Sequence, residues 1–323
     1  MRTGVWAIDG RGRPSEDRYF VKDVSVQNDP GEFLIAGVFD GHSGSSTVDL
    51  TIKILPDKLA EFIKTVGNNE QAIRAGISRI FIEHDRTIAE QGSLFYRSSG
   101  STATIAIITP THCYIAFIGD SPAFVFDPTN GSIISAIGKH SPNRTDENTR
   151  IRKNGGFVTN DEGDAPRVDG ALMVSRAFGD FSLKFKNEKI PEFDKNWAKD
   201  FRVVADPEII VIPRPDRGYL AICSDGLVDK PDGTFRTPNE IATEIVGIHS
   251  ENLNDVAKQV IHNQTKVYSE SLSEYSKSDA DDITLVLIDI SKTVQKGGVF
   301  TRKARRRKRN TKRIHGLPKT FSI

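Results

Sequence analysis

Six aspartates in this chain stand in five short runs of small residues, and each run follows or closes an apolar, strand-like stretch. They are Asp40 in VFDGHSG, Asp120 in IGDS, Asp180 in SRAFGD, Asp225 in ICSDGL, and Asp281 with Asp282 in DDIT. An aspartate at the mouth of a strand has a rigid backbone behind it and little bulk beside it. Several such carboxylates gathered together cannot all stay ionised without compensation. A divalent cation supplies that compensation, and hard oxygen donors suit Mg²⁺ or Mn²⁺ rather than Zn²⁺. VFDGHSG is the sharpest of the runs. An apolar strand ends at Asp40, Gly41 lets the backbone turn tightly and offers its carbonyl oxygen, and His42 follows at once. Read alone, the run is equally a glycine turn with a capping aspartate; the other four runs shift the reading towards a metal site.

The elements that must position these residues are readable from periodicity. GVWAID, DRYFVKDVSV and EFLIAGVFD alternate or are rich in β-branched residues and predict strands. After GHSGSS, the spacing of Val48, Ile52, Leu55, Leu59, Phe62 and Ile63 predicts a helix, kinked or split at Pro56. A second helix is predicted from about Asn69 to Glu90. Strands return in TATIAIIT, CYIAFIG, AFVFD and SIISAIG, with turns at Thr109-Pro110-Thr111 and Pro128 to Gly131. A short helix over 147–154 ends at Gly155-Gly156, helices follow over 238–249 and 252–268, and ITLVLIDI closes the pattern. Two strand groups interleaved with helix pairs predict an α+β layered domain. The expected architecture is two packed, mainly antiparallel sheets, a β-sandwich flanked by α-helices on both outer faces. Residues 181–202, mixed in charge and weakly periodic, are expected to form an irregular surface segment.

The chain has 323 residues with 37% hydrophobic and 27% charged, enough for a sizeable core. Its formal net charge of +1 hides an uneven distribution. Nine Lys and Arg lie between Arg302 and Arg313 with no acid among them; the rest counts 35 basic against 43 acidic residues, a net of −8. The two cysteines, Cys113 and Cys223, fall in apolar runs and are expected to be buried free thiols. No apolar run approaches the roughly 18 residues of a membrane span. The N-terminus has neither a signal-peptide core nor a second-position glycine for myristoylation. A soluble, monomeric protein of the nucleus or cytoplasm is the expectation.

Taken in order, these runs resemble the metal-dependent Ser/Thr protein phosphatases of type 2C. RPSED at 13–17 resembles the family's opening Arg…Glu-Asp motif, and FDGHSG at 39–44 its FDGHGG. GSTA at 100–103, GDS at 119–121, SRAFGD at 175–180, SDGL at 224–227 and DDIT at 281–284 follow in family order, as does GKHSPNRTDENTRIRKNGGFV. The resemblance implies a catalytic domain over 1–290, with 181–202 as its variable flap, and a basic tail over 291–323. It implies that Asp40 bridges two metals while the Gly41 carbonyl, Asp225 and Asp281 complete the pair. Asp120 is implied as a ligand, with Asp225, of a third and weaker metal. Glu16 and Asp17 stand where the family has acids that hold metal-bound waters or support the site. Arg13 is implied to bind phosphate, and His42 to act as general acid. Asp229, four residues after Asp225, is either a supporting residue or an ordinary turn residue. Asp282 takes the place of the family's Asn, where its charge could tighten metal affinity or shift ligand assignment.

The implied reaction is hydrolysis of phosphoserine and phosphothreonine in protein substrates. Two divalent ions about 3.5–4 Å apart can bridge one water and lower its pKa from about 15.7 towards about 7. The hydroxide attacks phosphorus in line, the planar fork of Arg13 meets the equatorial oxygens, and His42 protonates the leaving alkoxide. The alternative is a catalytically weak or silent scaffold that uses the same fold to bind phosphoproteins. The departures from the pattern are few. RPSED is one residue short, which leaves Arg11 as an alternative to Arg13; Pro122 and Lys139 replace an arginine and an aspartate; Ser43 replaces a glycine. His140 and the other histidines are expected to be structural, and Asp180 and Arg176 to brace a loop. Lys184, Lys186, Lys189, Lys195 and Lys199 could attract acidic substrates or simply be solvated. The tail, dense in like charge, is not expected to order itself. Its readings are a nuclear localisation signal read by an import receptor, or a contact with nucleic acid or another anionic surface.

Overall fold

A computed structural model describes residues 1–10, 14–27, 29–91, 98–160, 165–185, 201–271 and 281–292. Side chains of 268–271 are excluded from the description. Arg11, Arg13, residues 186–200 of the expected flap and residues 293–323 of the expected basic tail lie outside the described residues. Met1–Lys292 forms one compact unit.

Two antiparallel sheets build that unit, as the sequence predicts. The larger is centred on β3 (Asp29–His42), flanked by β2 (Asp17–Val26) and β5 (Ala103–Ile108), and continues through β6 (His112–Ile118) to β12 (Glu208–Pro213). The two-residue strands β4 (Gly100–Ser101) and β11 (Phe178–Gly179) extend it beside the end of β3. The smaller sheet runs in the order β1 (Thr3–Ile8), β14 (Ile283–Asp289), β13 (Tyr219–Cys223), β7 (Ala123–Phe126), β8 (Ile133–Ala136). A separate pair, β9 (Val158–Thr159) and β10 (Arg167–Val168), lies between these elements in sequence.

Alternation along the strands separates three apolar layers. On β3, Leu34, Ala36 and Val38 face the smaller sheet and pack with Val125, Ile222 and Val286. Phe33, Ile35 and Phe39 point the other way, onto α1 (Ser46–Val66) and α2 (Glu70–Ala89). The outer face of the smaller sheet packs Phe124, Ala221 and Leu285 against Ile241 and Ile245 of α5 (Pro238–Gly247) and Val256 and Val260 of α6 (Leu253–Ser271). Period two in the strands and period 3.6 in the helices thus meet on the same buried faces. Capping fixes two helix starts: the Asn69 side chain accepts from the Ala72 amide at 3.0 Å, and Thr237 with Glu240 forms a capping box before Pro238.

Of the two expected outcomes at Pro56, a split does not occur. α1 runs unbroken from Ser46 to Val66 with Pro56 buried inside it. Packing of Leu55, Leu59, Ala60 and Ile63 on the sheet outweighs the one hydrogen bond the proline removes.

The segment from 181 needs correction. Phe181–Lys184 is a short helix, α4, which follows the nine-residue α3 (Thr145–Lys153) in chain order, and Phe181 and Phe185 are buried. Lys184 is not a surface charge. Its ammonium is fully buried against Asp85 at 2.7 Å and donates to the Ala177 carbonyl at 2.8 Å. Both cysteines are buried free thiols, and burial pushes the Cys113 thiol up to about 12.

Candidate metal centre

The carboxylates converge because they occupy the same end of the sandwich. Asp40 lies two residues before the end of β3, Asp120 just past β6, and Asp225 just past β13. Glu16 immediately precedes β2 and Asp281 lies two residues before β14, antiparallel strands that start where the others finish. Glu16, Asp40, Gly41, His42, Asp120, Asp225, Asp281 and Asp282 all line one cavity of about 350 Å³. Separate runs of the sequence therefore reach one space.

Glycines make the close approaches. A Cβ on Gly41 would lie 2.7 Å from the Glu16 carbonyl and 2.9 Å from Val48, so a side chain here would push the two loops apart. A Cβ on Gly226 would lie 2.3 Å from the Asp282 carbonyl, where the Asp225 turn crosses the backbone of DDIT. The GST and GDS motifs join through Thr102, whose hydroxyl meets that of Ser121 at 2.6 Å and accepts from the Asp40 amide at 3.0 Å. His140 supports the turn ahead of Asp120: its Nδ1 accepts from the Gly119 amide at 3.2 Å. Burial lowers the pKa of His140 to about 4, so it serves as a neutral acceptor.

The acids respond to crowding and burial together. Burial, then the charges of Asp225 and Asp17, drive the Asp40 carboxyl well above the ordinary carboxylate range. Burial and Asp225 push Asp120 up to about 7, against the pull of Lys139 and His42. Asp229 rises to about 7 from burial and the charges of Asp225, Asp120 and Asp281; it lines an adjoining cavity rather than this one. Asp17 sits beneath the cavity, directly opposite Asp40 in the β2–β3 register. Its Oδ2 accepts from the hydroxyls of Ser224 and Thr284, both at 2.7 Å, which ties β2 to the strands that carry Asp225 and Asp281. Burial nevertheless pushes Asp17 up to about 7.

Two oxygens here are buried without a hydrogen-bond partner, Oδ1 of Asp17 and Oδ1 of Asp225. An orphaned buried carboxylate oxygen is costly, and a hard cation is the chemistry it matches. The donor types and the uncompensated negative charge therefore fit Mg²⁺ or Mn²⁺. Among the described residues, no three His, Cys, Asp or Glu side chains stand in an arrangement that could hold one ion. The acids share the cavity without closing on a single point.

Two relationships went unseen in the sequence. Both carboxylate oxygens of Asp180 face His42 Nε2, at 3.0 and 2.9 Å. Burial opposes a charge on His42, but the charge and hydrogen bond of Asp180 outweigh it and raise the imidazole above 6.5. Arg167, from β10, is on the cavity wall; a lone arginine in a weakly patterned stretch gave no signal. Asp282 lines the cavity and is also held by two backbone amides. Its two oxygens accept from the backbone amides of Gly10 and Glu16, each at 2.8 Å, which lie on either side of Arg11 and Arg13 in the sequence. The expected bracing by Arg176 takes the form of a pair with buried Glu147 at 2.7 Å.

This architecture has known counterparts. A solved phosphatase from Toxoplasma gondii superposes with a TM-score of 0.68 at 22% identity, covering 88% of this chain and 91% of that one. A Caenorhabditis elegans sex determining protein gives 0.66 at 18% identity, over 90% of this chain and 64% of that one. In sequence, "Probable protein phosphatase 2C 52" of Oryza sativa subsp. japonica is 30% identical over 291 residues, 89% of this chain and 50% of the relative. "Probable protein phosphatase 2C member 13, mitochondrial" of the same plant is 30% identical over 289 residues, 89% of this chain and 68% of the relative. This chain thus spans half to two thirds of the length of these relatives. The family model for protein phosphatase 2C matches residues 1–266, the stretch that supplies every cavity-lining acid except Asp281 and Asp282. The chain belongs to the protein phosphatase 2C family.

Proposed function

We propose that this chain is a metal-dependent protein phosphatase that hydrolyses phosphoserine and phosphothreonine in proteins. The observation that carries the reading is the meeting of Asp40, Asp120, Asp225 and Asp281 with His42 in one cavity. Family membership supports phosphatase chemistry in general. The compact unit Met1–Lys292 supports a catalytic domain over about residues 1–290.

Asp40, the Gly41 carbonyl, Asp225 and Asp281 would hold a pair of Mg²⁺ or Mn²⁺ ions, and Asp120 with Asp225 a third. Bound there, such ions supply a water of lowered pKa and neutralise charge on the phosphoryl oxygens. The protein's own residues do the rest. Thr102 and the Ser224–Asp17–Thr284 hydroxyl bridge fix the acids in place. Arg13 is the proposed phosphate-binding guanidinium; Asp282 ties together Gly10 and Glu16, which flank it in the sequence, and Arg167 offers a cation on the cavity wall. His42 donates the proton that the leaving serine or threonine alkoxide requires. With Nε2 engaged by Asp180, Nδ1 is the ring nitrogen left to deliver it.

No observation favours the alternative of a silent scaffold. One assay separates the two: hydrolysis of a generic aryl phosphate with Mn²⁺, and again after chelation. Metal-dependent turnover supports the enzyme; binding of phosphopeptides without turnover under any metal supports the scaffold.

A further inference from the structure

A second cavity of about 480 Å³ opens beside the first and shares Asp120, Met173 and Asp225 with it. Its character is different. Pro122, Ile137, Met173, Val228, Phe235 and Pro238 make an apolar wall. Phe235 and Met173 are 57% and 48% exposed, two of the few large apolar side chains that this protein leaves to solvent. Phe235 is held in the open by local backbone geometry. It bridges Asp229 in antiparallel fashion, across a turn closed by the Thr234 carbonyl accepting from the Lys230 amide at 2.9 Å.

Charges of both signs line this groove: Asp120, Asp225 and Asp229 beside Lys139 and Arg236. The Lys139 ammonium lies 4.7 Å over the Phe235 ring, and among the described residues no carboxylate comes within ion-pair distance of it. Arg236, the other cation of the groove, is already engaged by Glu244 and Gln264.

We propose that the groove is a substrate subsite that seats an apolar side chain flanking the phosphorylated residue, with an acidic residue beside it meeting Lys139. The inference rests on the phosphatase reading of the adjoining cavity and deepens it to a substrate class. Continuity argues for the occupant: with Asp120 and Asp225 in both walls, a peptide extending from a phosphate in the first cavity can reach the second. Burial of an apolar side chain on the wall supplies affinity. The ammonium over the Phe235 ring supplies preference at that end of the groove, away from the phosphate, since it attracts an acid and repels a base.

The test uses the full chain and matched phosphothreonine peptides. One set carries Leu or Ser at each position within three residues of the phosphothreonine; a second set carries Glu or Lys there. Both kcat/KM with Mn²⁺ and binding by fluorescence anisotropy are measured for wild type, Phe235→Ala and Lys139→Glu. The groove predicts one flanking position at which Leu is preferred over Ser by about tenfold in wild type, with that preference lost in Phe235→Ala. It predicts that Lys139→Glu reverses the preference between Glu and Lys. Equal use of all peptides by wild type, or identical preferences in all three proteins, overturns it. Anisotropy keeps the two readings separable. If no peptide or aryl phosphate is hydrolysed, the phosphatase reading fails, while the binding preferences still judge the groove.

Discussion

His42 and Asp180, 138 residues apart in sequence, form a two-point contact in which both carboxylate oxygens lie within 3.0 Å of the same imidazole nitrogen. The pair fits because Gly100 lies against it. A Cβ at that position would stand 2.2 Å from both His42 Nε2 and Asp180 Oδ2. Asp180 is itself in the left-handed backbone region, at φ 52°, and its amide donates to the Ser99 carbonyl at 3.0 Å. Behind it, Asp85 accepts from the Gly179 amide at 2.9 Å and from Lys184 at 2.7 Å. A buried ion pair thus anchors the turn that aims Asp180 at His42.

Asp180 is a positioning residue for the proton donor, which gives a distinctive kinetic signature. Asp180→Asn is expected to lower kcat on phosphothreonine peptides by about tenfold to a hundredfold. An aryl phosphate, whose leaving group needs little protonation, should lose far less. Equal losses on both substrates would assign Asp180 a purely structural role.

Gly100→Ala places a methyl where the His42–Asp180 contact now is. Turnover on alkyl phosphates is expected to fall as far as in His42→Gln, with stability reduced by about 1–3 kcal/mol. Circular dichroism melts alongside the kinetics check both halves. Wild-type turnover in Gly100→Ala would show that the pair has no part in catalysis.

Asp282→Asn replaces an acceptor-only group by one that turns an N–H towards one of two donating amides. One amide is left unsatisfied, at a cost of about 1–3 kcal/mol, and the link between Gly10 and Glu16, on either side of Arg13 in the sequence, is weakened. The melting temperature is expected to fall and KM for phosphopeptides to rise several-fold, with kcat less affected. Inhibition by inorganic phosphate should weaken in parallel. An unchanged KM and phosphate affinity would separate Asp282 from phosphate binding.

Glu147 sets an acid limit to stability. Burial disfavours its charge, but Arg176, Arg150 and Ser175 outweigh burial and hold its pKa at about 2, below its ordinary 4.5. Arg150 is lowered by its own burial yet stays charged, because an arginine begins so high. The folded state therefore binds fewer protons than the unfolded one. The stabilisation, of about 3 kcal/mol, is complete above pH 4.5 and is lost as pH falls from 4.5 towards 2. Urea melts between pH 6 and 2.5 should decline more steeply in wild type than in Glu147→Gln. Parallel declines would contradict this origin.

The sheets and helices were legible because apolar period two and period 3.6 are enforced by burial. Phe33, Leu34, Ile35 and Ala36 alternate between two cores, and no other register buries them all. The site was legible as motifs, since Gly41 and Gly226 are demanded by close backbone approach and the acids sit at strand ends. What escaped were pairings set by tertiary geometry alone. Nothing local in Lys184 marks it as buried against Asp85, and nothing in Asp282 marks its two backbone amides. The continuity of α1 through Pro56 is likewise decided by the sheet beneath it.

The rate of phosphothreonine-peptide hydrolysis as a function of free Mn²⁺, compared between wild type and Asp225→Ala, tests the central claim most directly. Asp225 combines an orphaned buried oxygen with a place in both cavities. Wild type is expected to be inactive in chelator and to saturate with Mn²⁺, while Asp225→Ala stays folded and at least a hundredfold less active at any Mn²⁺ level. Hydrolysis that persists in chelator, or an Asp225→Ala curve that overlays wild type, would contradict a cation-dependent carboxylate centre.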